Sequence, residues 1–271
     1  MTMENSAPQS LGRVLSIAGL DPSGGAGLLA DIKTISALGG YACGITTALT
    51  VQNTLGVSSV EPVDATLVTA QIKAVLDDMD IAAIKVGMLA NDKIIAVVCD
   101  QLIAHPDKYI MVVDPVFKSS SGATLLNENG VEILSKRLLP LTTLLTPNIA
   151  EAEVLSGMAV KTKDHMLDAA KKLMDMGAKN VLVTGGHLSG NEAIDVLLTP
   201  QGSHIFSCEM LDASNTHGTG CALSSAIATL LAQGKSMLEA VEGGKNYVYE
   251  AIKTAPNIGQ GNGPINHMVK L

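Results

Sequence analysis

Apolar and polar positions along the chain switch between two periods, and the switch marks out the elements. Residues 13–18 form a first apolar strand, and the glycine-rich run Gly19 to Gly27 follows. Apolar residues at 28, 32, 35 and 38 then keep helical spacing until Gly39-Gly40 closes the helix. Strand patterns recur at 41–51, 82–87, 109–114, 142–146 and 179–184. Helical patterns stand between them at about 64–79, 91–104, 130–139, 148–156 and 164–177. Segments 193–199 and 203–207, joined by Pro200-Gln201-Gly202, read as a hairpin. Last comes a helix with apolar residues at 222, 223, 226, 227, 230 and 231, ended by Gly234. Alternating strands and helices predict an α/β fold with a mostly parallel sheet covered on both faces. An eightfold (β/α) barrel is the competing arrangement; the hairpin near residue 200 favours the open sheet.

In such a sheet ligands bind beyond the C-terminal strand ends. Those ends carry the loop from Gly19 to Gly27, Gln52-Asn53-Thr54, Gly87-Met88, Asp114-Pro115-Val116, Thr146-Pro147-Asn148, Gly185-Gly186-His187 and the loop ending at Cys221. The stretch Asn215-Thr216-His217-Gly218-Thr219-Gly220-Cys221 is the most telling, because its glycines fall where a helix starts. Unpaired N–H groups of a first turn point at an approaching anion, and glycine lets the backbone come close. Cys221 at that tip feels the positive end of the helix dipole, so its thiol is expected below about 8.5, toward neutrality. The plain alternative makes Cys221 a small apolar plug before a core helix. The first glycine loop has neither the Walker spacing nor Gly-x-Gly-x-x-Gly.

Composition narrows the partners. A net charge of −8 without a Lys/Arg run argues against nucleic acid and against an anionic membrane surface, so a bound phosphate must be held locally. No apolar run is long enough to span a bilayer. Residues 1–11 read as a disordered polar tail, and 12–271 as one domain of a size that buries a large core. Four scattered cysteines without a CxxC pair suit reduced thiols in a cytoplasm and give no metal spacing.

Taken in order, Ile17 to Gly27 with Ala30-Asp31, Thr47 to Thr54, Lys85 to Leu89, Val113 to Val116, Thr146 to Glu151, Gly185 to His187, Asn215 to Cys221 and Gly261 to His267 carry a resemblance. The chain resembles the hydroxymethylpyrimidine and phosphomethylpyrimidine kinases of thiamine biosynthesis, in the ribokinase-like superfamily. The resemblance runs over residues 13–267. It implies a three-layer α/β/α fold and two ATP-dependent phosphoryl transfers. The first goes to the hydroxymethyl group of 4-amino-5-hydroxymethyl-2-methylpyrimidine, the second to the resulting monophosphate. Such transfers depend on positioning and charge neutralisation more than on covalent help.

By that resemblance Gly218, Thr219 and Gly220 form the anion hole, and Cys221 faces the substrate hydroxyl as base or proton relay. Asp31 and Gln52 hydrogen-bond the aminopyrimidine, while Gly19, Ala26, Met88 and Val116 shape its pocket. Asp114, Asn148, Thr184 and Gly186 line the nucleotide side. Glu151 supports Mg2+ through water, since that ion keeps much of its hydration shell. A homodimer in the cytoplasm is expected, with ATP and the pyrimidines as small-molecule partners.

Each role has a simpler counterpart. Asp31 has the lesser alternative of a solvated helix residue, Gln52 of a strand-end hydrogen bonder, and the Asn148/Glu151 spacing of an N-cap with its first-turn acid, while Met88 reads equally as core. His187 and His217 read as backbone hydrogen-bonders in loops, His105 and His165 as solvent-facing. The family often places Lys where Thr184 and Ser120 stand, with Lys118 two residues before the latter. Cationic help to the triphosphate is therefore reduced, because Thr184 offers a hydrogen bond but no charge. Pyridoxal kinase activity, alone or combined, is the competing function, and a non-catalytic pyrimidine-binding protein a further one.

Overall fold

The structure, a computed structural model, describes residues 11–104, 108–117, 122, 125–186 and 192–269. In chain order the elements are β1 (Arg13–Leu20), α1 (Gly27–Ala37), β2 (Tyr41–Asn53), β3 (Gly56–Pro62), α2 (Ala65–Asp78), β4 (Ala83–Val86), α3 (Asp92–Ile103), β5 (Ile110–Val113), α4 (Glu128–Ile133), β6 (Leu144–Leu145), α5 (Ile149–Ser156), α6 (Lys163–Asp175), β7 (Val181–Gly185), β8 (Glu192–Thr199), β9 (Gly202–Glu209), α7 (Thr219–Ala232) and α8 (Met237–Lys253). The nine strands lie in one sheet, ordered β3-β2-β1-β4-β5-β6-β7-β8-β9. From β2 to β7 neighbours are parallel, while β3 joins β2 antiparallel and β8 and β9 continue antiparallel from β7.

Alternation along each central strand divides the core into two layers, as a period of two requires. Leu15, Ile17, Ile84, Val86, Met111, Val113, Val181 and Val183 pack with apolar residues of α2, α3, α5 and α6. Val14, Ala83, Val112, Leu144 and Leu182 face the other way, against Ile35 of α1, Leu223, Ile227 and Leu231 of α7, and Ala240 and Val241 of α8. Burial on both faces explains why the strands read as continuous apolar runs. The open, mostly parallel sheet with helices on both sides is the expected three-layer α/β/α fold, and the hairpin at residue 200 is its β8–β9 edge.

Three segments depart from the sequence pattern. β3 is an additional strand that pairs back along β2 from Ala48↔Pro62 to Asn53↔Gly56. The 130–139 helix ends after Ile133 in a wider π-turn over Leu134–Leu138 and a tight turn over Leu139–Leu141 that contains Pro140. Helix α8 was not signalled by the glycine spacing, yet it starts with a capping box: Ser236 accepts from the Glu239 N–H, and Glu239 accepts from the Ser236 N–H.

Candidate active site

The C-terminal end of β1 runs into a glycine loop shaped by one carboxylate. Asp21 accepts from the Ser23 N–H at 2.8 Å, the Ser23 hydroxyl at 2.9 Å and the Ala26 N–H at 3.0 Å. His217, just before α7, brings Nε2 within 2.8 Å of the same carboxylate. Burial alone would raise the Asp21 pKa, but the contacts with His217 and Ser23 outweigh it and hold the carboxyl below its usual value. The glycine loop and the α7 loop are thus tied together, 196 residues apart in sequence.

Gly218 begins α7 at φ +84°, without a side-chain cap, and a Cβ there would overlap the Gly25 carbonyl. Only glycine fits that turn; the Thr219 N–H bonds the Thr216 carbonyl at 3.3 Å, and no side chain caps the turn. Behind it the Ser224 hydroxyl bonds the Gly220 and Cys221 carbonyls at 2.9 and 3.1 Å and approaches Asp114 at 3.4 Å. Gly218, Thr219, Gly220, Cys221 and Asp114 therefore meet at one point, beside Ala26.

Across the loop, a Cβ on Gly19 would come within 2.9 Å of the Met88 sulfur, so the two residues touch only because Gly19 lacks a side chain. Met88 packs with Ala48 and Leu125, with Val60, Ala90 and Val116 against them, forming an apolar wall. Gln52, at the end of β2, lies 3.2 Å from both Thr50 and His217. Gly19, Ala26, Gln52, Met88 and Val116 are gathered around this wall and loop.

Asp31 is not among them, and its expected place beside a ring is corrected. It is fully buried under α7, and its two oxygens accept from the Ser16 hydroxyl at 2.6 Å, the Ser225 hydroxyl at 2.8 Å and Lys85 Nζ at 2.9 and 3.0 Å. No lone pair of the carboxylate faces a pocket, because four donor contacts from β1, β4 and α7 already occupy it. Burial would lower the Lys85 pKa, yet Asp31, Cys221 and Asp114 outweigh it and hold the ammonium above its usual value.

The expectation for Cys221 is likewise reversed. The thiol is partly buried, and desolvation pushes its pKa up to about 12; Lys85 pulls it down, while Asp31 and Asp114 oppose that pull. Burial and two carboxylates outweigh the pull of Lys85 and of the Gly27 N–H. Asp114 is raised to about 6 by burial, relieved by Lys85. Glu151 is raised to about 8 by burial and by Asp114. Asn148 and Glu151 do form a capping box, each accepting from the other's backbone N–H at 3.0 and 2.9 Å. The capping reading and a site on the nucleotide side are compatible, since Asn148 also bridges Thr184 at the end of β7.

Beyond Thr184, Asp195 accepts from the Gly185 N–H at 3.1 Å and from Lys245 Nζ at 2.6 Å, so a nearly buried cation stands behind the turn to Gly186. His165 is exposed on α6 and serves its helix start, while Lys118, Ser120, His105 and His187 lie outside the described residues.

Residues 21–266 match the model of the phosphomethylpyrimidine kinase family. The chain belongs to that family. It is 44% identical over 256 residues to the hydroxymethylpyrimidine/phosphomethylpyrimidine kinase of Rhizobium meliloti, covering 93% of this chain and 96% of that one. It is 42% identical over 263 residues to the thiamine biosynthesis bifunctional protein of Geobacter sulfurreducens; that match takes in 97% of this chain but only 54% of the longer relative. Among solved structures it is similar to an ADP complex of Bacillus subtilis pyridoxal kinase, with a TM-score of 0.87, 35% identity and coverage of 95% and 98% of the two chains. The fold is accordingly ribokinase-like, and the relatives named as kinases are phosphotransferases.

Four residues that shape this region have roles the sequence did not disclose. His217 is no loop hydrogen-bonder to backbone alone; its ring joins Asp21 and Gln52. Asp21 carried a signal, because Asp-Pro-Ser-Gly is a turn whose side chain bonds its own backbone. Lys85 and Lys245 carried none, since their partners Asp31 and Asp195 lie 54 and 50 residues away.

Proposed function

We propose that this protein transfers the γ-phosphoryl of ATP to 4-amino-5-hydroxymethyl-2-methylpyrimidine and then to its monophosphate, as its named relatives do. One observation carries the reading: an uncapped α7 N-terminus, at Gly218 to Gly220, opens beside Asp114 and the Gly19–Ala26 pocket at the C-terminal edge of a parallel sheet. A phosphoryl group held there meets backbone N–H groups that need no reorganisation. Gln52 and the wall of Gly19, Ala26, Met88 and Val116 hold the ring. Asp114, Asn148, Thr184 and Gly186 border the nucleotide.

Cys221 acts as a neutral thiol that orients the substrate hydroxyl, because a group raised to about 12 is a poor proton acceptor near neutrality. Asp114 and Glu151 fit a hard divalent cation: both carboxyl groups are buried, Asp114 raises the pKa of Glu151, and oxygen donors of this kind suit Mg2+ held partly through water. When bound, the ion would neutralise charge on the phosphates. Residues 12–271 act as one domain, in a cytoplasm that suits four unpaired cysteines. A homodimer is supported by the apolar side chains Leu49, Val51 and Leu55, exposed on β2 and its turn.

The structural likeness to pyridoxal kinases favours one second reading, pyridoxal as an additional substrate. The test is a single ATP-dependent assay with the hydroxymethylpyrimidine, its phosphate and pyridoxal in parallel. Turnover of both pyrimidines is the expected result. Turnover of pyridoxal alone would replace the assignment, and no turnover of any would leave a binding protein.

A further inference from the structure

Asp21, His217, Gln52 and Thr50 form a chain of polar contacts from the glycine loop to the end of β2, and their hydrogens can be counted. His217 Nε2 lies 2.8 Å from Asp21 Oδ2 and 3.2 Å from the Gln52 amide nitrogen. Thr50 Oγ1 lies 3.0 Å from the Leu20 carbonyl and 3.2 Å from the Gln52 amide oxygen. Asp21 is held as a carboxylate, accepting from Ser23 and Ala26 as well. A carboxylate offers lone pairs only, so the ring nitrogen facing it must carry a hydrogen. His217 therefore carries a hydrogen on Nε2.

The one hydrogen on Nε2 goes to Asp21 at 2.8 Å and reaches Gln52, at 3.2 Å, only as the weaker arm of a three-centre bond; that arm calls for the carbonyl end of Gln52, since an N–H cannot face an amide NH2 group productively. Thr50 leads to the same answer from the other side. Its single hydroxyl hydrogen goes to the Leu20 carbonyl, which leaves a lone pair that calls for an amide N–H. The two ends of a glutamine amide are told apart by such partners, and both partners turn this amide the same way, oxygen toward His217 and nitrogen toward Thr50.

We propose that Asp21 and His217 are positioning residues that fix the orientation of the Gln52 amide and so the ring edge that the enzyme accepts. The inference rests on the reading above that Gln52 faces the ring. An amide has two lone pairs and two N–H groups. His217 uses one lone pair and Thr50 one N–H, so an acceptor and a donor remain side by side. They complement a ring that carries an amino group next to an unprotonated ring nitrogen, with the amino group toward His217. A ring without that adjacent pair satisfies at most half of the amide, and the unmet half stays buried and unpaired.

Two measurements test this. The first needs no substrate and no variant enzyme beyond assignment: nitrogen-15 NMR of the imidazoles in the whole free protein, with the His217 signals identified by their loss in His217→Phe. A hydrogen on Nε2 is expected, and the Nδ1–H tautomer overturns the proposal. The second compares the aminopyrimidine alcohol with an analogue lacking the amino group and one with the adjacent ring nitrogen replaced by C–H. Each deletion should lower kcat/KM by about 10-fold or more in the natural enzyme. In His217→Phe only Thr50 still holds the amide, so the pyrimidine KM should rise about 10-fold while kcat and the ATP KM stay within about twofold, and the two analogue penalties should shrink. Unchanged penalties, with kcat and both KM values damaged together, would leave His217 as a mere brace between loops and sink the idea. If the natural enzyme phosphorylates no pyrimidine, the assigned substrate fails while the NMR result still decides the tautomer.

Discussion

Replacing Lys85 by Met should destabilise the fold far more than replacing Lys85 and Asp31 together. Both side chains are fully buried, and the ammonium lies 2.9 and 3.0 Å from the two carboxylate oxygens. In Lys85→Met the carboxylate keeps only the Ser16 and Ser225 hydroxyls as donors and has lost its counter-charge. Removing one partner of a buried pair costs about 3–5 kcal/mol, whereas replacing both is often close to neutral. With about 2–4 °C lost per kcal/mol in a chain near this size, Lys85→Met should melt about 10 °C lower. The double variant Lys85→Met/Asp31→Asn removes both charges, and the Asn amide can accept from one serine with its oxygen and donate to the other with its NH2, so it should recover at least half of the loss. Urea titrations of the natural protein, both single variants and the double complete the cycle. Additive losses, or a Lys85→Met loss under about 1 kcal/mol, would mean that water reaches the pair and that the charge is not confined beneath α7.

Three further outcomes follow from the same packing. Cys221 should react slowly with iodoacetamide at neutral pH and faster as pH rises toward about 12, its raised value; fast alkylation at pH 7, blocked by substrate, would restore the thiolate reading. His267 is buried with no hydrogen-bond partner for Nε2, and burial, with Lys33 and His217 nearby, lowers its pKa to about 4. Its folded value lies below the unfolded one of about 6.5, so stability is full above that pH and declines by up to about 1.4 kcal/mol per unit down to about 4; in chemical denaturation across this window, His267→Phe should show a smaller decline, and an identical slope would refute the assignment. Gly218→Ala must adopt a positive φ and meets the Gly25 carbonyl. It should lower kcat by about 10²-fold or more through a displaced anion hole, and near-normal turnover would show that the turn relaxes freely.

Much of this architecture could be read from periodicity because both faces of the central strands are buried, which leaves continuous apolar runs such as Ile110–Val113. β3 was hidden because its residues are mostly exposed and do not alternate cleanly. Helix α8 had a readable Ser236/Glu239 start but followed too closely on Gly234 to stand out. At the site, the glycines and Gln52 were legible since a sequence can show a loop at a strand end. Asp31 was not, because its meaning depends on Lys85 and Ser225, which only the fold brings over it. Cys221 failed for a related reason: the dipole is a local property of the helix, whereas desolvation is set by everything packed around it.

The tie between Asp21 and His217 also bears on when the site comes into being. During synthesis the glycine loop is among the first segments made, and it waits for nearly two hundred residues before His217 arrives. The α7 loop is then fastened by still later residues: Asn262 accepts from the Thr216 N–H, Gly263 accepts from the His217 N–H, and Thr54 receives the Gly261 N–H. Contacts of such long sequence separation form slowly, because chain closure is costly before any of them is made. Strands β1 to β7 can assemble as a sheet with no working anion hole in it. Activity should therefore be the last property the nascent chain acquires, and a chain cut before Asn215 would lack both the His217 contact to Gln52 and the means to hold a phosphoryl group.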